Sequence, residues 1–172
     1  MRPDAGQVVL ALSVLASASL LCAMAVTFPP KFIWNASQSA PVGLYRIENH
    51  RPRLDDLVLV APSKPVADFI ASRGYLPAGT PLIKRVAALA GDEICREKEI
   101  IFIDGLHVAE ARKTDSLGRS MPYWRGCFTL KDNEIFLLND HPDSLDGRYF
   151  GATFLREVIG VAVPLFVEEQ GS

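Results

Sequence analysis

The chain has 172 residues and a formal net charge of −2, from 18 basic and 20 acidic side chains. That length provides for one domain of ordinary size with a sizeable core, and the balanced charge leaves no basic footprint for nucleic acid. The 12 prolines and 12 glycines are spread along the chain, which suits many short elements joined by turns, and there is no internal repeat or low-complexity tract.

From Gln7 to Phe28 the chain carries no charged residue. A run of about 20 apolar residues is long enough to cross a bilayer as a helix. Arg2 precedes this run and Lys31 follows the Pro29-Pro30 stop, which favours an N-terminus in the cytoplasm. A cleaved signal peptide is the alternative, because Ala23-Met24-Ala25 has the small-x-small form of a cleavage site. The run is long for such a segment, however, and one basic residue precedes it. Both readings place the remainder outside the cytoplasm. The expected division is 1–30, a cytoplasmic tip and transmembrane anchor, and 31–172, an extracytoplasmic domain.

Short strands follow. Gly43–Ile47 and Leu57–Ala61 have strand character, the second as a continuous apolar, β-branched run. Pro65 opens PVADFIASRG, whose proline at the first turn and Gly74 at the end predict a helix of two or three turns. Leu82–Ala87 is the next strand. In EIIFIDGLHVAEA, two apolar runs flank Asp104-Gly105, a hairpin signal because both residues tolerate positive φ. Residues 113–126 are polar and rich in turn formers, and predict a loop. Cys127–Leu130 and Glu134–Leu138 predict strands, 139–151 a polar loop, and Val158–Val167 a final strand. The expected fold is mainly β, a folded-over or closed β-barrel or sandwich with one short helix, which hides many strand edges.

Three groups of residues offer chemistry. Ser37 and Ser39 lie in NASQSAPVGLYR. A serine pair after an anchor is commonly a tether, but Pro41 restricts φ and Gly43 frees it, so Ser-x-Pro-x-Gly describes a defined turn. A serine nucleophile needs a base, and a lysine serves if burial keeps it neutral. Lys84 interrupts an apolar strand, and alternation places it on one face with Leu82 and Val86, with Arg85 turned to solvent. The alternative is a solvated charge that blunts a sheet edge. The third group is NDHPDSLDGRYFG. Asp140, Asp143 and Asp146 with Arg148 could form an ion-pair network, and His141 beside these acids would permit a Ser-His-Asp triad with Ser39. The spacing lacks the glycine and distal glutamate of an EF-hand loop. Cys95 and Cys127 fall in the exported part, where a disulfide can form and persist, and Cys22 is a small apolar residue of the apolar run. His50, His107 and His141 with these cysteines make no zinc spacing.

Taken together, three segments resemble one family, the type I signal peptidases. Ser37-Gln38-Ser39-Ala40-Pro41 resembles their serine box, the segment from Leu82 to Asp92 their lysine box, and Ser144-Leu145-Asp146-Gly147-Arg148-Tyr149-Phe150-Gly151 their Ser-x-Asp-x-Arg box. Order and spacing agree over nearly the whole chain. Asn35-x-Ser37-x-Ser39-x-Pro41-x-Gly43-Leu44-Tyr45 and Arg73-Gly74-Tyr75-Leu76-Pro77 resemble a subgroup, the TraF-type peptidases of conjugative transfer systems. Ala40 after the serine, Pro41 one place early, Asp55-Asp56 and Leu138-Asn139-Asp140 depart from the general signal peptidase pattern.

The resemblance implies a signal-peptidase-like fold and a set of roles. Ser39 would be the nucleophile and Lys84 the general base. The Ser39 N–H and the Ser37 hydroxyl would form the oxyanion hole. Asp146, Arg148 and Ser144 would support the surroundings of Lys84. It implies no metal or other cofactor. The partners it implies are a membrane-anchored, pilin-like precursor, the lipid bilayer and other conjugative transfer components. The place it implies is the bacterial inner membrane, single-pass, with the catalytic domain on the periplasmic side. Such enzymes either hydrolyse the precursor or join its ends into a cyclic pilin. A general signal peptidase and a non-catalytic, anchored β-domain of a secretion assembly are the other readings.

Overall fold

The computed structural model describes residues 4–25 and 30–168, with the backbone alone for 20–25. Two compact units emerge, Met1–Pro30 and Lys31–Ser172. The first holds helix α1 (Ala5–Ala25). Its apolar side chains Val9, Leu10, Leu12, Val14 and Leu15 are exposed. Among the described residues no helix is long and apolar enough to cross a membrane, so the span expected of 7–28 is not shown. Arg2 and Pro29 lie outside the described residues, as do the side chains of Cys22 and of Ala23-Met24-Ala25.

The second unit carries two sheets. The larger has seven strands in the order β1-β2-β11-β3-β4-β9-β10. These are Phe32–Asn35, Gly43–Glu48, Val158–Val167, Leu57–Val60, Leu82–Ala88, Glu134–Leu137 and Thr153–Phe154. Its strand pairs are all antiparallel, and its edges are β1 and β10, so among the described residues hydrogen bonds do not close it into a barrel. The smaller sheet has the order β7-β6-β5-β8, from Leu106–Glu110, Ile100–Ile103, Glu93–Glu97 and Gly126–Thr129. Its β6–β7 hairpin turns at Asp104 and Gly105, both at positive φ (48° and 78°), which aspartate tolerates and glycine, lacking a Cβ, adopts freely. Cys95 and Cys127 face each other across β5 and β8 and are joined in a disulfide.

Three apolar clusters fill the interior. Val58, Val60, Val86, Ile135, Leu137 and Val161 form one of them. Tyr45, Leu59, Ile83 and Ala162 form another beneath the serine turn. Their residues come from strands distant in sequence, so the core joins β2, β3, β4, β9 and β11 into one scaffold. Helix α2 (Lys64–Ser72) has proline in its first turn and one buried face residue, Ile70.

Three expectations change. Residues 139–146 are a loop, exposed at Asp140, Pro142 and Asp143 but not solvated throughout. Asn139, Ser144, Asp146 and Arg148 are all buried, and the 139–151 segment contains a short helix, α3 (Gly147–Phe150), capped by the Asp146 side chain. The single expected helix is therefore joined by α3 and by a 3-10 turn at Leu155–Glu157. Strands β1, β5 and β10 were not expected. β1 and β10 are short, so periodicity has few residues to act on, and β5 reads EICRE, with charged residues at three of five positions.

Candidate active site

Strand β1 ends at Asn35, whose partner in β2 is Gly43. The seven residues between them form a turn that carries Ser37 and Ser39. Gly43 permits the return. Its φ is 151°, and a Cβ there would stand 2.0 Å from the Phe166 carbonyl oxygen of β11, so only glycine brings the serine turn against that strand. Asn35 fills the turn from inside. Its Nδ2 donates to the carbonyls of Ser37 (2.9 Å), Ala40 (3.0 Å) and Pro41 (3.1 Å). Its Oδ1 accepts from the Ser37 backbone N–H (3.1 Å) and the Ser37 hydroxyl (3.0 Å). The Pro41 carbonyl also takes the Tyr45 hydroxyl at 2.6 Å. Ser37 Oγ and Ser39 Oγ lie 3.2 Å apart.

Lys84 sits opposite Val58 in the β3–β4 pair and is 5% exposed. It is no edge charge, because β3 and β9 flank β4 on both sides. Alternation holds where it matters, with Val86 fully buried on the same face. Arg85 is turned the other way but is half-buried and paired with Asp55 and Asp140. Burial is the largest influence on the Lys84 amine and lowers its pKa from 10.5 to about 8; Asp146 raises it and Arg148 lowers it further. Its Nζ donates to Ser144 Oγ at 2.7 Å.

Around Lys84 the polar groups are satisfied from distant parts of the chain. Asn139 donates from Nδ2 to the Ile83 carbonyl (3.1 Å) and accepts the Arg85 N–H on Oδ1 (2.9 Å). It thereby brackets Lys84 on the backbone of β4, just beyond the Val86–Leu137 pair that ends the ladder with β9. The Asn139 N–H donates to Asp146 Oδ2 at 3.1 Å. Asp146 accepts Arg148 Nε at 2.8 Å and a terminal guanidinium nitrogen at 3.2 Å. Arg148 also donates to the carbonyls of Asn139 (2.6 Å), Pro142 (3.2 Å) and Glu110 (3.4 Å). A buried ion pair is stable when its remaining donors and acceptors are occupied, and these are.

Ser39, Ser37, Lys84 and Ser144 line one cleft of about 550 Å³, walled by Trp34 and Leu76. A second depression of about 680 Å³ shares Tyr75, Asp143 and Leu145 with it. Two serine hydroxyls, a neutralisable amine and a further hydroxyl donor therefore face one solvent-accessible space, and hydrolysis or transfer of an acyl group is the chemistry such groups can support.

Other sequence candidates separate. The three aspartates do not form one network, since Asp140 binds Arg85, Asp143 binds Arg112 and Asp146 alone binds Arg148. His141 lines the cleft, but its Nδ1 accepts the Asp143 N–H at 3.1 Å. A neutral imidazole then carries its hydrogen on Nε2 and has no free lone pair for a serine proton. The Ser-His-Asp triad is not formed. Cys95 and Cys127 lie near Glu93, yet their sulfurs are spent in the disulfide, and they are outside the cleft lining.

Two residues that the sequence reading gave no role stand out, Asn35 and Asn139. Both are buried amides. Each sits at or just past a strand end, and a buried amide there has to satisfy backbone groups that the ladder leaves free.

Comparison with known proteins gives one family model, several relatives and a solved structure. The family model described as signal peptidase, peptidase S26, matches residues 5–167. The plasmid transfer protein TraF of Escherichia coli is 33% identical over 142 residues, spanning 76% of this chain and 80% of that protein. The conjugal transfer protein TraF of Agrobacterium fabrum strain C58 is 35% identical over 145 residues, spanning 77% and 80%. Among solved structures, a signal peptidase I from Enterococcus faecalis V583 is 20% identical with a TM-score of 0.38, covering 65% of this chain and 97% of that one.

Proposed function

The chain belongs to the signal peptidase family, peptidase S26, and from that premise we propose that it is a Ser-Lys endopeptidase that cuts the leader or signal peptides of exported precursors. Its setting is conjugative transfer, and its substrate is a pilin-like precursor, in keeping with relatives whose names place them in plasmid and conjugal transfer. The observation that carries the Ser-Lys assignment is the burial of Lys84, with its pKa lowered to about 8, in the cleft that holds Ser39.

In this mechanism the neutral Lys84 amine takes the Ser39 proton as Oγ attacks the scissile carbonyl, then returns it to the leaving amine. The Ser39 N–H and the Ser37 hydroxyl stabilise the oxyanion. Ser144 holds the Lys84 amine in place, and Asp146 and Arg148 hold the segment that carries Ser144. The acyl-enzyme passes to water, or to an amine of the same precursor to give a cyclic product. The proposal includes an N-terminal anchor in the inner membrane with residues 31–172 on the periplasmic side. The exposed apolar side chains of α1 support it. An anchored enzyme and an anchored substrate meet at raised effective concentration.

The test is processing of a pilin-like precursor in membranes that carry the full chain, with products read by mass. A shortened precursor, linear or cyclic, that disappears with Ser39→Ala supports the assignment. Undiminished processing by Ser39→Ala overturns it, and broad processing of unrelated secreted precursors moves the chain to general signal peptidase work.

Two further outcomes are expected. Replacing Ser37 by alanine removes one oxyanion donor and lowers kcat by about 100- to 1,000-fold. The pH profile follows the amine. At pH 7 a group of pKa about 8 is neutral in roughly one molecule in ten. Then kcat/KM of the wild type rises about tenfold per pH unit below pH 8 and levels above it, measured between pH 6 and 9.5.

A further inference from the structure

The hydrogen bonds of Asn35 have a direction that bears on the nucleophile. The side chain is 8% exposed. Its Nδ2 faces the carbonyls of Ser37, Ala40 and Pro41. Turning the amide over would set Oδ1 against those three oxygens with no hydrogen between them, so the amide is locked as it stands. Oδ1 therefore faces Ser37. An amide oxygen only accepts, so the Ser37 hydroxyl is the donor of the 3.0 Å bond to it. A hydroxyl has one hydrogen. In the 3.2 Å contact between the two serines, the donor must then be Ser39.

We propose that Asn35 is a positioning residue that sets a directed chain of hydrogen bonds, Ser39 to Ser37 to Asn35, and so controls the resting orientation of the nucleophile. This inference rests on the roles of Ser39 and Ser37 proposed above. At rest the Ser39 proton is aimed at Ser37, and Lys84 is occupied with Ser144. A substrate carbonyl gives the Ser37 hydroxyl a stronger acceptor, because a hydrogen bond to a developing anion outweighs one to a neutral amide. The hydroxyl leaves Asn35 for the oxyanion, and the Ser39 hydroxyl turns to Lys84. Asn35 keeps the Ser37 backbone N–H and the three carbonyls throughout, so the turn holds while the two hydroxyls move. Asn35 touches no substrate in this scheme and acts through Ser37.

The test is a double-mutant cycle on the full-length enzyme, with a precursor carrying alanine before the cut site as the probe. Asn35→Ala and Asn35→Ser are made alone and with Ser37→Ala, and kcat, KM and melting temperature are measured for each. Asn35→Ser keeps a short hydroxyl that can donate to one of the turn's carbonyls, so the cycle can be completed even if Asn35→Ala does not fold. Each single substitution is expected to lower kcat roughly 10- to 100-fold, within the loss expected for Ser37 itself, with KM changed less than about twofold. In the Ser37→Ala background the further loss is expected to be under about threefold, because residues acting as one unit are not additive. Equal losses in both backgrounds, or a loss carried by KM, overturn the proposal and leave Asn35 as a brace for the turn. Ser39→Ala separates the two levels. Activity that survives it removes the Ser-Lys reading, whereas an inactive Ser39→Ala with an additive cycle removes only the role of Asn35.

Discussion

Ser39→Ala and Lys84→Met are each expected to lower kcat by about 10⁴- to 10⁶-fold, the range for losing one member of a nucleophile–base unit. That is roughly 5–8 kcal/mol of transition-state stabilisation at about 1.4 kcal/mol per factor of ten. The two losses should not add, because either one stops the same proton transfer. Turnover by purified protein at matched, folded concentration checks this. Lys84→Met makes a second expectation in the opposite direction, on stability. The amine is buried, and its pKa falls from 10.5 to about 8 on folding. The unfolded chain therefore binds more protons than the folded one between those values, and stability rises with pH across that window. Below about pH 8 the folded protein carries the full disadvantage of a charged buried amine, on the order of 3 kcal/mol. Methionine has a similar length and no charge. The variant loses the bond to Ser144, which is worth about 1 kcal/mol. Lys84→Met is thus expected to melt above the wild type at pH 7, with the gap closing from pH 8 towards 10.5. A gap that widens with pH would contradict the burial argument.

The second large effect concerns the ion pair beside Lys84. Asp146→Ala leaves the Arg148 guanidinium, itself 2% exposed, without its counter-charge. Removing one partner of a buried pair costs about 3–5 kcal/mol, which for a domain of this size lowers the melting temperature by roughly 10–15 °C. Arg148→Ala should cost as much, and it also frees the carbonyls of Asn139, Pro142 and Glu110. Calorimetry or thermal circular dichroism checks both. Where the variants are folded at low temperature, the pH profile gives an independent reading. Asp146 raises the Lys84 pKa and Arg148 lowers it. The rising limb of activity should shift to lower pH in Asp146→Ala and to higher pH in Arg148→Ala. A purely structural loss would lower activity in both without moving the limb in opposite directions.

Much of this architecture is readable locally. The strand at Leu57–Val60, the helix that begins near Pro65, the Asp104-Gly105 hairpin and the ten-residue β11 each follow from residue type and period, which act between neighbours in sequence. The serine turn is legible for the same reason, since Pro41 and Gly43 restrict backbone angles where they stand. The family resemblance adds the order of the three boxes. The face taken by Lys84 is not local. Alternation says that Lys84 and Val86 share a side, but an interior place for that side depends on β3 and β9 flanking β4 and on Ser144 arriving from 60 residues away.

The 139–151 segment shows the limit most clearly. Its composition is polar, and polar composition ordinarily means solvent. Here Asn139, Ser144, Asp146 and Arg148 are buried while Asp140 and Asp143 stay exposed, because Ile83, Arg85, Glu110 and Arg96 supply backbone and side-chain partners from other elements. By itself, then, the sequence determined the strands other than β1, β5 and β10, the main turns, and which side chains offer chemistry, since those depend on backbone preference and residue type. Only the tertiary structure decided which acid meets which arginine, why His141 has no lone pair to offer, and how Lys84 comes to lose its proton near pH 8. Each of those depends on desolvation and on hydrogen-bond partners distant in the chain, and no local pattern encodes them.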